Sequence, residues 1–299
     1  MSRYIGRFAP SPTGPLHTGS LLAAMASYLD ARKNRGLWLL RIEDIDPPRE
    51  VSGASESILH CLESFGFEWD GEVLYQSTRL AIYQDILDQL IKADLVYPCV
   101  CSRKNISQSL PRTGPLGPIY PNTCKDKVID LSMQHAFRLR TEAKTVSYED
   151  KLQGRQTTNL ANEIGDFVIK RADGLFSYQL AVVIDDEFQG VNNVVRGCDL
   201  LENTFAQLYL QKLLAYQPPN YLHIPILVNQ NQEKLSKQTG AHALPTDHPL
   251  PQLVSAWKLL GQSTDSINKL TTPSEFWEWA IPIWEPKSIP AQRAIRFSD

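Results

Sequence analysis

The stretch "RFAPSPTGPLHTGS", residues 7–20, sets prolines and glycines around a single imidazole, His17, directly before an apolar run that starts at Leu21. A glycine-punctuated turn feeding a helix N-terminus offers unpaired backbone N–H groups and the positive end of the helix dipole. That arrangement suits a triphosphate, and His17 can donate to one of its oxygens. More than 200 residues later, "KLSKQ" (234–238) places Lys234 and Lys237 three apart in a polar loop. Mobile ammonium groups there can follow negative charge as it develops on a transferring phosphoryl group. Taken singly, His17 also fits a capped surface helix, and the lysines a solvated loop. A third group is thiol chemistry: the Cys99-x-Cys101 spacing can set two thiolates on one metal, with Cys124 as a third after a Pro/Gly-rich loop. Three free cysteines are the alternative.

These groups need a scaffold, and the chain has the material for one. Its 299 residues, 42% of them hydrophobic, are enough for one large or two modest domains with real cores. No apolar run of about 18 residues occurs, and "MSRYIGRFAP" lacks the apolar core of a secretory signal, so a cytoplasmic protein is expected. The net charge of −3 means that any nucleic-acid contact must be local. Five cysteines, an odd number, favour metal ligation or free thiols over disulfides, with Cys61 and Cys198 as packing residues.

Apolar positions Leu21, Met25, Tyr28 and Leu29 recur at helical spacing up to Gly36, and "LWLLRIED" (37–44) reads as a buried parallel strand. Ser52 can cap a second helix with Ile58, Leu62 and Phe65 on one face, ended by Gly66. Thr78 can cap a third, with Tyr83, Ile86, Leu87, Leu90 and Ile91 inward. This alternation predicts an α/β fold with an open parallel sheet, a nucleotide-fold opening. "FVIKRADGLFSYQLAVVIDD" (167–186) departs from it: two β-rich runs flank Asp173-Gly174, a short hairpin signal. A helix from about Leu200 to Tyr216, a strand "YLHIPILVN" and a helical region from about Pro245 complete the reading.

"HTGS" and "KLSKQ" together resemble the HIGH and KMSKS motifs of class I aminoacyl-tRNA synthetases. "RFAPSPTGPLHTGSL", "RIEDIDPPRE", "SYQLAVVIDD", "VVRGCDLLENT" and "KLSKQ" follow in the order and surroundings of the glutamyl synthetases, over roughly residues 4–240. The resemblance implies a Rossmann-type catalytic domain that activates L-glutamate as its adenylate with ATP and Mg2+. A dicarboxylate carrying one ammonium wants arginines and a counter-carboxylate. By position in the family, Arg7, Ser11, Glu43, Tyr178 and Arg196 would line the glutamate pocket. His17, Gly19, Ser20 and Lys237 would bind ATP, and His17, Lys234 and Lys237 would act in catalysis. Ser20 stands where the motif has a second histidine, and Gln238 where it has a final serine, so weakened rather than lost ATP chemistry is expected.

The division expected is a first catalytic half at 1–95, an insertion with a zinc site at 96–165, a second half at 166–240 and a short helical region at 241–299. About 60 residues after the lysine loop leave no room for an anticodon-reading region. The short chain, "RIEDIDPPRE" and the cysteine-bearing insertion resemble the short branch of the family, which activates glutamate without tRNA. Members of that branch esterify it to the cyclopentene diol of queuosine at the wobble position of tRNA(Asp). Unstacked loop bases are the usual targets of specific RNA recognition. In this family the fourth ligand of a structural zinc is a tyrosine four residues before the last cysteine, the place of Tyr120, which completes Cys99, Cys101, Tyr120 and Cys124. His135 is the chemically ordinary competitor. A monomer is expected. The rival readings are a minimal glutamyl-tRNA synthetase charging the 3′ end of tRNA(Glu), a non-catalytic synthetase-derived RNA-binding protein and a small-molecule adenylyltransferase.

Overall fold

In the computed structural model, which describes residues 3–109, 112–235 and 242–297, the chain opens as strand, helix, strand. β1 (Ile5–Phe8), α1 (Thr18–Lys33) and β2 (Leu37–Ile42) lead through α2 (Ala54–Ser64) to β3 (Leu74–Tyr75). β1, β2 and β3 pair in parallel in that order, Ile5 opposite Leu37 and Arg41 opposite Leu74. α1 is buried nearly all round, from Leu21 and Leu22 through Ala24, Met25 and Ala26 to Ala31, as a helix covered on more than one side must be. Its left-handed exit step is taken by Arg35 (φ 51°) and not by Gly36. Gly36 is needed for another reason, since a Cβ there would lie 2.5 Å from the Tyr4 carbonyl oxygen.

Two expected caps are different in the structure. Gly53, not Ser52, precedes α2, while Gly66 (φ 73°) follows its end as expected. α3 (Leu80–Lys92) starts after a 3-10 turn, Gln76–Arg79, and the Thr78 hydroxyl donates to the Tyr75 carbonyl 2.7 Å away instead of capping the helix. Tyr83, Leu87 and Leu90 face inward, whereas Ile91 is exposed.

The middle of the chain carries β4 (Val96–Cys99), α4 (Arg103–Ser109), a small hairpin of β5 (Thr113–Gly114) and β6 (Gly117–Pro118), then β7 (Ala136–Leu139). β8 (Thr145–Asp150), β9 (Gly154–Asn159), one π-helical turn (Leu160–Ile164) and β10 (Val168–Lys170) follow. β4, β7 and β10 form an antiparallel sheet. The hairpin expected around Asp173-Gly174 shrinks to a single bridge, Lys170 to Phe176. "YQLAVVIDD" is not a strand; it is α5 (Tyr178–Phe188). Ser177 caps it by accepting from the Leu180 amide, and Val182, Val183 and Ile184 are all buried. Tertiary burial overrides the β-propensity of that run.

β11 (Asn193–Gly197), α6 (Thr204–Leu213) and β12 (Asn220–Ile224) form the second parallel unit; the predicted helix from Leu200 is shorter at both ends. The start of β11 lies beside β1, with the Asn192 amide donating to the Ile5 carbonyl at 3.0 Å. Two parallel units therefore meet at β1 and β11, and a doubly wound sheet binds ligands beyond the carboxyl ends of its strands at such a point. The predicted strand "YLHIPILVN" is interrupted at Pro225, so β13 (Ile226–Val228) is separate. α7 (Pro249–Leu259) and α8 (Pro273–Ile283) follow, and the region expected to be helical ends in a strand, β14 (Ala294–Arg296), parallel to β13.

α7 and α8 share the first hydrophobic core with α1, β2 and α2. All six tryptophans sit there: Trp38, Trp257, Trp277 and Trp284 inside it, Trp69 and Trp279 packed on its margin. The Trp277 indole donates to the Phe65 carbonyl at 2.9 Å, fixing α8 to the end of α2. A second core gathers Tyr83, Leu87, Leu160, Phe176, Val182, Phe205 and Leu210, and contains no tryptophan. Among the described residues no helix is long and apolar enough to cross a membrane.

Candidate active site and thiol cluster

Arg7, Ser11, His17, Gly19, Ser20, Glu43, Tyr178, Arg196 and Lys234 all line one crevice at the carboxyl ends of β1 and β11. Lys237 and Gln238 lie outside the described residues. His17 is the N-cap of α1, and its Nδ1 accepts from the Ser20 amide at 3.3 Å. An accepting Nδ1 places the proton of the neutral ring on Nε2, the donor that a phosphate oxygen needs. A Cβ on Gly19 would come within 3.0 Å of the His17 ring and 3.9 Å of the Leu235 carbonyl. The helix mouth and the start of the lysine loop are therefore neighbours. Leu235 is held by its backbone amide, which donates to the Leu227 carbonyl at 2.7 Å. Lys234 is less mobile than its sequence suggests: it bridges to Val228, and its Nζ lies 2.5 Å from Asp199 Oδ2.

β1, β2 and α5 bring four charges together. Arg7 Nε lies 3.1 Å from Asp186 Oδ1, and Arg41 Nη2 lies 2.8 Å from the same oxygen. Burial pushes the Asp186 carboxyl up, but the two guanidinium groups outweigh it and hold the group below the usual carboxylate range. Glu43, just beyond β2, is also buried, with Oε1 3.5 Å from Arg41 Nη2 and without a hydrogen-bond partner. Burial pushes its carboxyl up to about 7 against the pull of Arg41 and Arg7. Glu43 lines the crevice, and a buried carboxyl there that the protein's own groups do not fully satisfy is what a cationic ligand group would complete. The adjacent Asp185 ties α5 to the 3-10 turn and α3, accepting from Arg79 Nε at 2.5 Å, the Tyr83 hydroxyl at 2.6 Å and Gln76 Nε2 at 2.8 Å.

On the other wall, all three guanidinium nitrogens of Arg196 donate to the protein. Its Nε donates to His223 Nε2 at 3.0 Å, Nη1 to the Tyr178 hydroxyl at 3.3 Å and Nη2 to the Thr204 hydroxyl at 2.8 Å. His223 Nδ1 in turn meets Asp150 Oδ2 at 2.7 Å. Burial drives the His223 imidazole down to about 4 against the upward pull of Asp150. A group with a folded value below its unfolded value of about 6.5 contributes stability that is complete above that pH and lost as pH falls toward 4, here about 3 kcal/mol. Denaturant titrations of the wild type should therefore show stability falling between pH 6.5 and 4 more steeply than in His223→Gln. Equal slopes would mean that His223 is not a buried neutral group.

Sequence reading passed over Arg41, Asp150, Asp185, Asp186 and His223. The acidic pair is visible in "VVIDDEF", but within a run whose β-branched composition predicts a strand.

In the middle of the chain, Cys99, Cys101 and Cys124 place their sulfurs within 4.8 Å of one another. The Tyr120 hydroxyl lies 3.3 Å from Cys99 Sγ and 3.5 Å from Cys101 Sγ, and accepts from the Cys124 amide at 2.8 Å. Arg138 Nε donates to Cys99 Sγ at 3.2 Å, and its guanidinium sits 3.9 Å over the Tyr120 ring. Three soft sulfur donors around one point, with a cation to offset thiolate charge, can hold a metal ion of the zinc type. His135 is not in the cluster; it is half-buried, with Nδ1 2.8 Å from the Met133 carbonyl. Cys61 and Cys198 are both buried elsewhere.

The family model described as tRNA synthetases class I (E and Q), catalytic domain, matches residues 5–289. A protein of Dechloromonas aromatica named glutamyl-Q tRNA(Asp) synthetase is 49% identical over 98% of this chain and 98% of its own length. Proteins of the same name from Aromatoleum aromaticum and Pseudomonas putida are each 47% identical, over 97% and 100% of this chain and 91% and 98% of their own. Among solved structures, a glutamate tRNA ligase from Elizabethkingia meningosepticum superposes with a TM-score of 0.82 at 23% identity, covering 99% of this chain and 67% of that one. That likeness concerns the fold.

Proposed function

The chain belongs to the class I tRNA synthetase family (E and Q), catalytic domain, and from that premise we propose that it activates L-glutamate with ATP and transfers it to queuosine at the wobble position of tRNA(Asp). The near full-length agreement with relatives named for that activity supports the acceptor. The observation that carries the amino acid is Glu43, a buried carboxyl with an unmet oxygen beside Arg7 and Arg41 and in the same crevice as Arg196. Of these, Glu43, Arg7 and Arg196 line the crevice, and two carboxylates and one ammonium are the complement of those three.

In this reading Arg7, Ser11, Tyr178 and Arg196 hold the carboxylates, and Glu43 takes the α-ammonium. His17, Gly19 and Ser20 present the mouth of α1 to the triphosphate, and Lys234 and Lys237 neutralise charge on the leaving pyrophosphate. The α-carboxylate attacks the α-phosphorus, and pyrophosphate departs. A hydroxyl of the cyclopentene diol then attacks the acyl carbon of the glutamyl adenylate; the ester bond forms, the acyl–phosphate bond breaks, and AMP leaves. A magnesium ion carried with ATP would supply further charge neutralisation. Cys99, Cys101, Cys124 and Tyr120 would hold a structural zinc that shapes the insertion on the acceptor side and takes no part in the chemistry.

The test is transfer of labelled glutamate, with ATP and Mg2+, to tRNA(Glu), to tRNA(Asp) bearing queuosine and to the same tRNA(Asp) bearing guanosine. Label on the queuosine form alone is expected. Label on tRNA(Glu) would overturn the reading in favour of a compact conventional synthetase, and no ATP–pyrophosphate exchange with glutamate would remove the amino acid as well.

A further inference from the structure

Asp150, His223 and Arg196 come from the three neighbouring strands β8, β12 and β11, where Arg196 and His223 are register partners and Asp150 pairs with Tyr221. All three side chains are buried. An arginine has no acceptor, so the 3.0 Å contact from its Nε requires a lone pair on His223 Nε2. The proton of the neutral ring is then on Nδ1, where it meets Asp150 Oδ2 at 2.7 Å. In the opposite tautomer an N–H would face the guanidinium N–H, and a nitrogen lone pair would face a carboxylate. Both contacts would be repulsive.

We propose that Asp150 sets the tautomer of His223 and thereby holds the Arg196 guanidinium in the orientation that meets Tyr178 and the crevice, making Asp150 and His223 positioning residues for the amino-acid pocket. The assignment of Arg196 to that pocket rests on the function proposed above; the hydrogen-bond chain does not. The same carboxylate also anchors the turn after β8, with Oδ1 accepting from the Leu152 amide at 3.0 Å and the Gln153 amide at 2.8 Å. Asp150→Asn can keep those two bonds, and the 3.2 Å bond that Oδ1 accepts from the His223 backbone amide, with its carbonyl oxygen while presenting an N–H to the His223 ring. Nδ1 must then accept, the proton moves to Nε2, and the imidazole repels Arg196. His223→Gln differs: its side-chain oxygen can accept from Arg196 whatever stands at position 150.

The experiment combines glutamate-dependent ATP–pyrophosphate exchange with nitrogen NMR of the histidine-labelled protein. Expected is an Nδ1–H ring for His223 in the wild type and an Nε2–H ring in Asp150→Asn. The KM for glutamate should rise at least tenfold in Asp150→Asn with the KM for ATP unchanged, and the double variant Asp150→Asn/His223→Gln should be no worse than His223→Gln alone. An Nε2–H ring in the wild type overturns the proposal even if no variant folds. So does a glutamate KM at the wild-type value in Asp150→Asn, an equal rise in both KM values, or additive losses in the double variant. If glutamate supports no exchange in the wild type, the pocket assignment fails while the NMR result still decides the tautomer.

Discussion

Glu43→Gln should lower kcat/KM for glutamate in ATP–pyrophosphate exchange by about 10²–10³-fold while leaving the protein as stable as the wild type, or more so, at pH 8. The activity loss follows from charge: a buried ammonium deprived of its carboxylate costs about 3–5 kcal/mol, and each factor of ten is about 1.4 kcal/mol. The stability gain follows from the burial of the same carboxyl. Burial raises it to about 7, so stability linked to this group is complete below the unfolded value of about 4.5 and lost as pH rises through 7. Ionisation at pH 8 thus costs up to about 3 kcal/mol, which glutamine does not bear. Glutamate binding should show the opposite preference, because the ammonium needs the ionised form and affinity therefore weakens below pH 7 in the wild type only. Thermal melts and exchange kinetics from pH 6 to 8 check all of this. Full activity in Glu43→Gln would remove Glu43 from the pocket, and a large fall in melting temperature would show that the carboxyl serves structure.

The second large effect is expected at Cys101. Replacing it with alanine, or treating the protein with a strong chelator, should reduce bound metal from one ion per chain to near none and open the insertion to protease between Ser102 and His135. A structural zinc site contributes its binding energy to folding, about 10–16 kcal/mol in small zinc-finger peptides. Around the thiols there is little else: the local core is Tyr97, Cys99, Ile106, Tyr120 and Cys124, so the cluster residues are also its packing residues. Elemental analysis and limited proteolysis read the two effects separately. Unchanged metal content and an intact insertion would sink the metal assignment. Cys61→Ala, at a buried thiol outside the cluster, is the control.

The parallel opening of the fold was legible because it is written locally: a continuous apolar strand, a glycine-bounded helix and a second buried strand. The same local logic failed at α5, where a β-branched run becomes a helix because every side of it is buried. The candidate site divides in the same way. His17, Gly19 and Glu43 belong to short motifs at element ends and can be found by eye. The Arg7–Asp186 pair is separated by 179 positions and the Asp150–His223 pair by 73. No periodicity or spacing announces such a pair; it exists only once β8, β11, β12, β1 and α5 are assembled. Arg41 illustrates the cost, since it reads as the charged end of a strand and is in fact fully buried against Asp186 and Glu43.

The uneven placement of tryptophan decides what the protein's intrinsic emission can report. All six indoles lie in or on the core shared by α1, β2, α2, α7 and α8. The second core and the thiol-bearing insertion hold none. Excitation at the tryptophan band follows loosening around Trp38 and Trp277, and an insertion that has lost its metal and unravelled would leave that signal unchanged. A probe placed on the insertion makes the two sides of the crevice separately visible, and a difference between its transition and the indole transition would measure how far they unfold apart.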